Sequence, residues 1–121
     1  MPPGWLAATA LALGLCVGCG EAGARVLEPY GFAELGLLDF QSYGFALRYT
    51  TGDGLPIAAA AITCRVGGGG GGALLQQPLA ETDAGGLARF VLETRAAAAF
   101  AVVCRPAGHD GPIVSFAVLV S

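Results

Sequence analysis

The residues of this 121-residue chain that are able to do chemistry are few and widely spaced. Cys64, Cys104, His109 and Asp110 are the candidate ligands of a zinc site. Zinc ligands usually come in short paired spacings, and no CxxC or HxxxH spacing occurs among these four. A nucleophile made of Cys104 and His109 requires an exposed thiol beside its base, whereas the alternation around Cys104 directs this side chain inward. The sequence therefore favours neither site, and His109 is interpreted as a solvated loop residue.

Carboxylates form the second group of candidates. Glu81 and Asp83 are spaced as a possible acid pair of a glycoside hydrolase, and Asp53 with Asp83 as possible calcium ligands. Asp53 and Asp83 lie in glycine-containing turns, where an Asp side chain commonly caps backbone N–H groups. We therefore interpret these acids as turn and solubilising residues. The sequence predicts no enzyme activity, no cofactor and no metal site.

The elements that must position these residues are strands with a period of two. Thr82, Asp83 and Gly86 form a turn before a strand in which Ala88, Phe90 and Leu92 share one face. The same alternation predicts further strands, at 43–50, 57–66, 99–105 and 113–120, with a shorter one at 74–79. Six consecutive glycines at 67–72 predict a mobile loop, because glycine has the greatest backbone freedom.

Two of these turn-and-strand segments occur in a fixed order. Asp53, Gly54 and Pro56 precede a strand that contains Ile62, and Thr82, Asp83 and Gly86 precede a strand that begins near Ala88. Together they resemble the bacterial immunoglobulin-like domains of the invasin/intimin type. Carboxypeptidase-regulatory and transthyretin-like β-sandwiches use similar turns.

The resemblance implies an all-β fold, an immunoglobulin-like β-sandwich of about seven strands over residues 39–121. It implies use as a stalk, spacer or adhesive module on a bacterial surface, and it brings no catalytic residues. In that topology the second and sixth strands face each other across the core, and an exported protein meets an oxidising compartment. We therefore predict a Cys64–Cys104 disulfide across the sandwich. Two buried free thiols are the alternative.

The amino terminus has the pattern of an export signal. The apolar stretch Trp5–Gly18 is too short to span a bilayer and suits a signal peptide over residues 1–18. Its end, Cys16-Val17-Gly18-Cys19, resembles the lipobox of bacterial lipoproteins, which implies cleavage before Cys19 and a lipid on that cysteine. An ordinary secretory signal and an uncleaved anchor are the alternatives. Residues 19–38 are predicted to be a tether with a possible edge strand within 32–40.

The composition and net charge of the chain restrict the classes of molecule that it is expected to bind. The chain contains six arginines, no lysine and nine acids, for a net charge of −3, so we predict no nucleic-acid partner. The hypothesis is a lipid-anchored module of the bacterial cell envelope, at the outer membrane or cell surface. Its partners would be the membrane and a neighbouring domain, a cell-surface protein or a glycan. The alternatives are a glycan- or peptide-binding module, working through loops 67–72 and 106–112, and an accessory domain of an exported enzyme.

Overall fold

The computed structural model describes residues 24–108 and 111–121, and these residues form a β-sandwich of nine strands. The strands are β1 (Arg25–Pro29), β2 (Leu35–Leu37), β3 (Ser42–Thr51), β4 (Ala61–Val66), β5 (Leu74–Leu75), β6 (Leu79–Glu81), β7 (Leu87–Glu93), β8 (Ala98–Pro106) and β9 (Val114–Val120). The predicted all-β sandwich is confirmed. The strand number exceeds the predicted seven, because β1 was not predicted and the strand predicted over 74–79 is split.

The strands form two sheets. One has five strands in the order β2-β9-β8-β4-β6, and the other has four in the order β1-β3-β7-β5. Neighbouring strands are antiparallel except for β2, which runs parallel to β9. The longest antiparallel pairing within the four-stranded sheet joins β3 to β7, from Ser42 opposite Glu93 to Arg48 opposite Leu87. These two strands form the centre of the four-stranded sheet.

The core lies between the two inner faces and follows from the alternation. In β7, Ala88, Phe90 and Leu92 are buried as predicted, and the residues between them are not. The centre is aromatic: the Phe45 ring lies 5.5 Å from that of Phe90 and 5.2 Å from that of Phe116, between ring centroids. Since burying a large apolar side chain contributes about 2 kcal/mol, this cluster is a main source of stability.

The predicted tether is wrong for the part of it that forms β1. Arg25–Pro29 pairs along its whole length with β3, and Leu27 is buried in the core. One buried residue gives no visible alternation, so the strand conformation here depends on pairing with β3. Among the described residues the sandwich thus begins at β1 and not at residue 39. Within 32–40, where an edge strand was predicted as possible, the structure has β2, at one edge of the five-stranded sheet.

Two strand boundaries also differ from the prediction. The strand predicted from residue 57 begins at Ala61. The segment before it makes one isolated bridge to the other sheet, between Pro56 and Thr50, and residues 57–60 form no strand. The strand predicted over 74–79 is two strands, β5 and β6, which belong to different sheets. Pro78 lies between them and lacks an N–H group for a ladder, so the chain changes sheets there.

The predicted signal peptide over residues 1–18 and the lipidated Cys19 lie outside the described residues. Within 24–108 and 111–121, no helix has the length and apolar character needed to cross a membrane.

Candidate functional site

The six turn residues singled out by the sequence meet at one end of the sandwich. We call this set, Asp53, Gly54, Pro56, Thr82, Asp83 and Gly86, the turn junction. The Tyr49 backbone connects its two halves: the N–H donates to the Gly86 carbonyl oxygen at 2.8 Å, and the carbonyl accepts from Ile57 at 3.0 Å. The two sequence segments that carried the resemblance therefore form one structural unit.

The first half of the junction is a tight turn between Thr51 and Leu55. The Thr51 hydroxyl donates to the Asp53 carboxylate at 2.6 Å and accepts the Leu55 N–H at 3.1 Å. Gly54 supplies a φ of +92° and donates its N–H to the Thr51 carbonyl oxygen. The hydrogen bond from Thr51 lowers the pKa of Asp53 below its ordinary value. Asp53 therefore stabilises its own turn.

Thr82 is the buried polar centre of the junction. Its hydroxyl donates to the Ile57 carbonyl oxygen at 2.6 Å and accepts the Ala60 N–H at 2.9 Å. Its backbone carbonyl accepts the Ala59 N–H at 2.9 Å. Thr82 is 5% exposed, so these groups have little access to water. Its side chain thus satisfies the irregular backbone that runs from Ile57 to Ala60.

Asp83 caps the turn that leads into β7. One carboxylate oxygen accepts the Gly85 N–H at 2.8 Å and the Leu87 N–H at 3.0 Å. The other lies 3.5 Å from the Arg89 guanidinium in an exposed ion pair. The Leu87 hydrogen bond is the main reason that the pKa of Asp83 falls below its ordinary value. A carboxylate held ionised by the turn is suited to capping and unsuited to the general-acid role of a hydrolase.

Gly86 is the position in the junction that only glycine can occupy. Its φ is +79°, and a Cβ at this position would lie 2.6 Å from the Tyr49 carbonyl oxygen. The same Cβ would lie 3.2 Å from the Pro56 Cβ. Both the conformation and the close approach of two backbones therefore require glycine.

The Cys64–Cys104 disulfide is present, but it does not cross the sandwich as predicted. The two cysteines are directly opposite each other on β4 and β8, which are neighbours in the five-stranded sheet. The Cys64 N–H points away from β8 and donates to the Pro78 carbonyl oxygen at 2.8 Å. The cysteines thus form a non-hydrogen-bonded pair, the kind in which Cα atoms approach most closely, and these lie 4.0 Å apart.

The disulfide also decides between the chemical alternatives for the cysteines. Both sulfur atoms are bonded to each other, and Cys104 is fully buried. Neither cysteine is therefore a thiolate ligand or a nucleophile. His109 and Asp110 lie outside the described residues. In the described part of the chain, no three His, Cys, Asp or Glu side chains converge as a metal site.

The opposite end of the sandwich contains a polar anchor that the sequence did not indicate. Thr94 is 2% exposed; its hydroxyl donates to the Leu38 carbonyl oxygen at 2.6 Å and accepts the Gln41 N–H at 2.8 Å. The anchored loop presents Phe40, which is 79% exposed and has a φ of +49°. A bulky residue rarely adopts such a φ.

A second feature missed by the sequence is a groove on the outer face of the four-stranded sheet. We call it the aromatic groove, after Tyr30, and define it by Tyr30, Gly44, Ala46, Arg89 and Val91. Its volume is about 450 Å³. Tyr30 and Arg89 stand on either side of Ala46, and Gly44 lies opposite Val91 in the ladder. Only the pairing of three distant segments brings these residues together.

Comparison with known proteins gives structural matches only. No protein-family model matches the chain, and no curated protein matches it in sequence.

Several solved structures share the fold. The D00–D0 domains of intimin superpose with a TM-score of 0.66 at 15% identity, over 88% of this chain and 52% of that one. The D0–D1 domains of intimin give 0.55 at 17% identity, over 79% and 49%. Domains 4 and 5 of the S-layer protein SbsC give 0.59 at 11%, over 79% and 53%. The chain spans about half the length of these structures. Its sandwich is thus an immunoglobulin-like fold similar to that of intimin and S-layer domains.

Proposed function

We propose that this protein is an exported module of the bacterial cell envelope, tethered to a membrane by lipid on Cys19, with a structural or adhesive role and no catalysis. The fold it shares with intimin and S-layer domains supports this proposal. The main observation in its favour is that the chain enters the sandwich at one end and leaves it at the other.

The chain enters and leaves the sandwich at opposite ends. Ala24 lies at the turn junction, where its carbonyl accepts the Gly52 N–H at 2.9 Å. Ser121 lies at the Thr94 end, where its N–H donates to the Leu37 carbonyl oxygen at 3.0 Å. The ten residues of β3 separate these ends, a distance of about 30 Å. A domain whose chain ends lie this far apart, at opposite ends, adds its own length to a stalk and is suited to act as a spacer.

The disulfide supports the proposed compartment. Disulfides form and persist in oxidising environments and are rare in the cytosol. Cys64 and Cys104 are both buried in the core, so reductants would reach the bond only after the sandwich opens. This arrangement suits a protein that functions outside the cytoplasm.

No side-chain arrangement in the described residues supports a competing catalytic role. Asp83 is occupied by its turn, and the two core cysteines are bonded to each other. The proposal therefore treats the domain as a scaffold whose outer surfaces make the contacts.

The lipid tether is tested by expressing the full chain in a bacterial host with an alkyne analogue of palmitate. The native protein is expected to carry the label and to fractionate with membranes, and Cys19→Ser is expected to lose both properties. Cys16→Ser is the matched control and should keep the label. An unlabelled native protein, or a labelled Cys19→Ser variant, would remove the tether from the proposal.

The role at the surface is tested in the source bacterium. Deletion of the gene is expected either to weaken resistance of the envelope to detergent or to reduce attachment of cells to surfaces. Complementation with the native gene should restore the property, and Cys19→Ser should not. If neither property changes, a structural or adhesive role is contradicted.

A further inference from the structure

We propose that the outer face of the five-stranded sheet is a surface on which two copies of this chain pair. The inference goes beyond the structural role proposed above, and the pairing does not require the lipid tether. It starts from the outward residues on and beside β2, β9, β8 and β4, which we call the pairing face: Glu34, Gly36, Arg65, Ala99, Ala101, Val103, Ser115, Ala117 and Leu119.

The centre of the pairing face is apolar, and nothing within residues 24–108 and 111–121 covers it. The inward residues of β9 fill the core, so Leu119 points outward and is 60% exposed. Its neighbours Ala99 and Ala117 are also exposed, and with Leu119 they line a shallow hollow of about 250 Å³. A sheet with one face in water normally carries polar residues on that face. The composition of this face is therefore that of a covered surface.

The strand register makes the pairing face complementary to itself in size. On β9 and β8, Leu119 lies opposite Ala99, and Ser115 lies opposite Val103. A two-fold axis parallel to the strands, midway between β8 and β9, would place each β9 residue over its own cross-strand neighbour in the second copy. Leu119 would then pack on Ala99, and Val103 on Ser115. A large side chain would meet a small one at both positions, as a two-fold interface between identical patches requires.

The charges at the two borders of the pairing face are opposite in sign. Glu34 directly precedes β2, and Arg65 lies on β4, opposite Val103 of β8. Both side chains are exposed. The order β2-β9-β8-β4 means that an axis between β9 and β8 exchanges the β2 border with the β4 border. Glu34 of each copy would therefore lie beside Arg65 of the other, and this charge complementarity favours a second copy as the partner.

The same charges select the direction of the axis. A two-fold axis across the strands at the level of Ala117 would place Glu34 opposite Glu34, because Glu34 is level with Ala117 in the parallel β2–β9 register. An axis along the strands avoids this repulsion and keeps Ala24 of both copies at the same end. Two chains paired in this way could be anchored in one membrane, an agreement that rests on the proposed function although the pairing does not.

The size of the pairing face predicts a weak dimer. Five strands and about seven residues of strand length amount to roughly 550 Å² for each copy. The total is close to the lower limit of about 1,000 Å² for specific interfaces. We therefore expect a dissociation constant in the micromolar range, which confinement of both tethers to one membrane would offset by raising the effective concentration.

The first experiment measures sedimentation equilibrium of the exported full chain in neutral detergent, with free thiols blocked, over a series of concentrations. The native chain is expected to pass from monomer to dimer without larger species, because a two-fold interface closes on itself. Leu119→Asp is expected to weaken the dimer at least about tenfold, since the change is present twice in the interface. Leu55→Asp is the matched control: Leu55 is 61% exposed but lies in the turn after Thr51, away from the pairing face.

The second experiment exchanges the border charges. Glu34→Arg and Arg65→Glu are each expected to weaken the dimer several-fold, because each places like charges together at two equivalent positions. The variant with both substitutions should regain the native affinity. Thermal unfolding of every variant shows that the sandwich is intact.

The proposal is overturned if the native chain remains monomeric, if Leu119→Asp dimerises like the native chain, or if Leu55→Asp weakens the dimer equally. It is also overturned if the double charge variant stays as weak as the single ones. The presence of lipid on Cys19 is measured separately, so a monomeric chain would leave the tether unaffected.

Discussion

The turn junction and the aromatic groove differ in how much of each the fold requires. The junction residues have structural roles, since Thr82 satisfies buried backbone groups, Asp83 caps a turn, and Gly86 allows two backbones to touch. The groove is built on the same two strands, yet Gly44 and Tyr30 satisfy no comparable demand. Gly44 has room for a side chain, and Tyr30 is half exposed.

This difference separates residues kept for folding from residues available for binding. The turns that resemble a known family are those the sandwich needs to close one end. They identify the fold and say nothing about a ligand. The aromatic groove lies where the fold imposes few constraints. The following predictions test that contrast, from the largest expected effect to the smallest.

The largest effect on the free energy of unfolding is expected from loss of the disulfide, which lies outside both regions. Replacing both Cys64 and Cys104 by alanine removes a cross-link between residues separated by 40 positions. Loop-closure entropy predicts a loss of about 4 kcal/mol in the free energy of unfolding. Urea unfolding at neutral pH measures it, and the reduced native protein should behave like the double variant. A loss below about 1 kcal/mol would show that the sheet pairing alone holds β4 and β8 together.

Gly86→Ala is expected to have the next largest effect and to disrupt the junction. The strained φ and the clash with Tyr49 together predict a loss of about 3 kcal/mol. Gly85→Ala is the matched control, because its Cβ would lie 3.4 Å from the Asp83 carboxylate and its φ is not positive. It should lose less than about 1 kcal/mol. Equal losses in the two variants would contradict the special role of Gly86.

Thr82→Val keeps the shape of the side chain and removes its hydroxyl. Two buried backbone groups, the Ala60 N–H and the Ile57 carbonyl, then lose their partner, which predicts a loss of about 2 kcal/mol. Thr63→Val is the control, since its hydroxyl makes one exposed hydrogen bond to Arg105 at 3.3 Å. A change within about 0.5 kcal/mol is expected there. If Thr82→Val were equally mild, the junction would not depend on this hydroxyl.

Asp83 is expected to make the junction sensitive to acid. Its pKa in the folded chain lies below the ordinary value of 3.8. Its contribution is therefore fully present above about pH 4 and is lost as the pH falls through the lowered pKa. Asp83→Asn should flatten the dependence of stability on pH in that window. Glu81→Gln, which removes a neighbouring exposed acid, should leave the dependence unchanged, and the same flattening in both variants would exclude a specific cap.

Gly44→Val is expected to have the smallest effect on stability and the opposite sign. A β-branched residue suits a strand, and removal of glycine from its interior predicts a gain of about 0.5 kcal/mol. Thermal unfolding measures the change beside Gly36→Val, the same substitution at another strand glycine with open space around its Cβ position. A loss above about 1 kcal/mol would mean that the fold does require Gly44, and the contrast between the two regions would disappear.

Local pattern predicted the strands and turns well. The alternation of Phe45, Leu47 and Tyr49 located β3, and Asp83 before Gly86 located the turn into β7, because both signals depend on adjacent residues. The pattern also placed Cys64 and Cys104 on inner faces. It did not reveal that their strands are neighbours in one sheet, since alternation defines the face of a residue and leaves strand order open.

The aromatic groove and the Thr94 anchor could not be predicted from local sequence patterns, because they too depend on strand order. Tyr30, Gly44 and Arg89 come together only when β1, β3 and β7 pair. The strand β1 itself contains one buried residue, Leu27, and gives no periodic signal. Thr94 anchors Leu38 and Gln41, more than 50 positions away in the chain. Contacts at such separations follow from strand order and not from the local sequence.

The proposal of an exported, anchored and disulfide-closed module is tested most directly by the intact mass of the protein recovered from bacterial membranes. We predict a chain that begins at a lipidated Cys19 and gains about 2 Da on reduction and unfolding, the mass of two hydrogens added to one disulfide. A soluble, unlipidated chain whose mass does not change on reduction would contradict both the tether and the oxidised core.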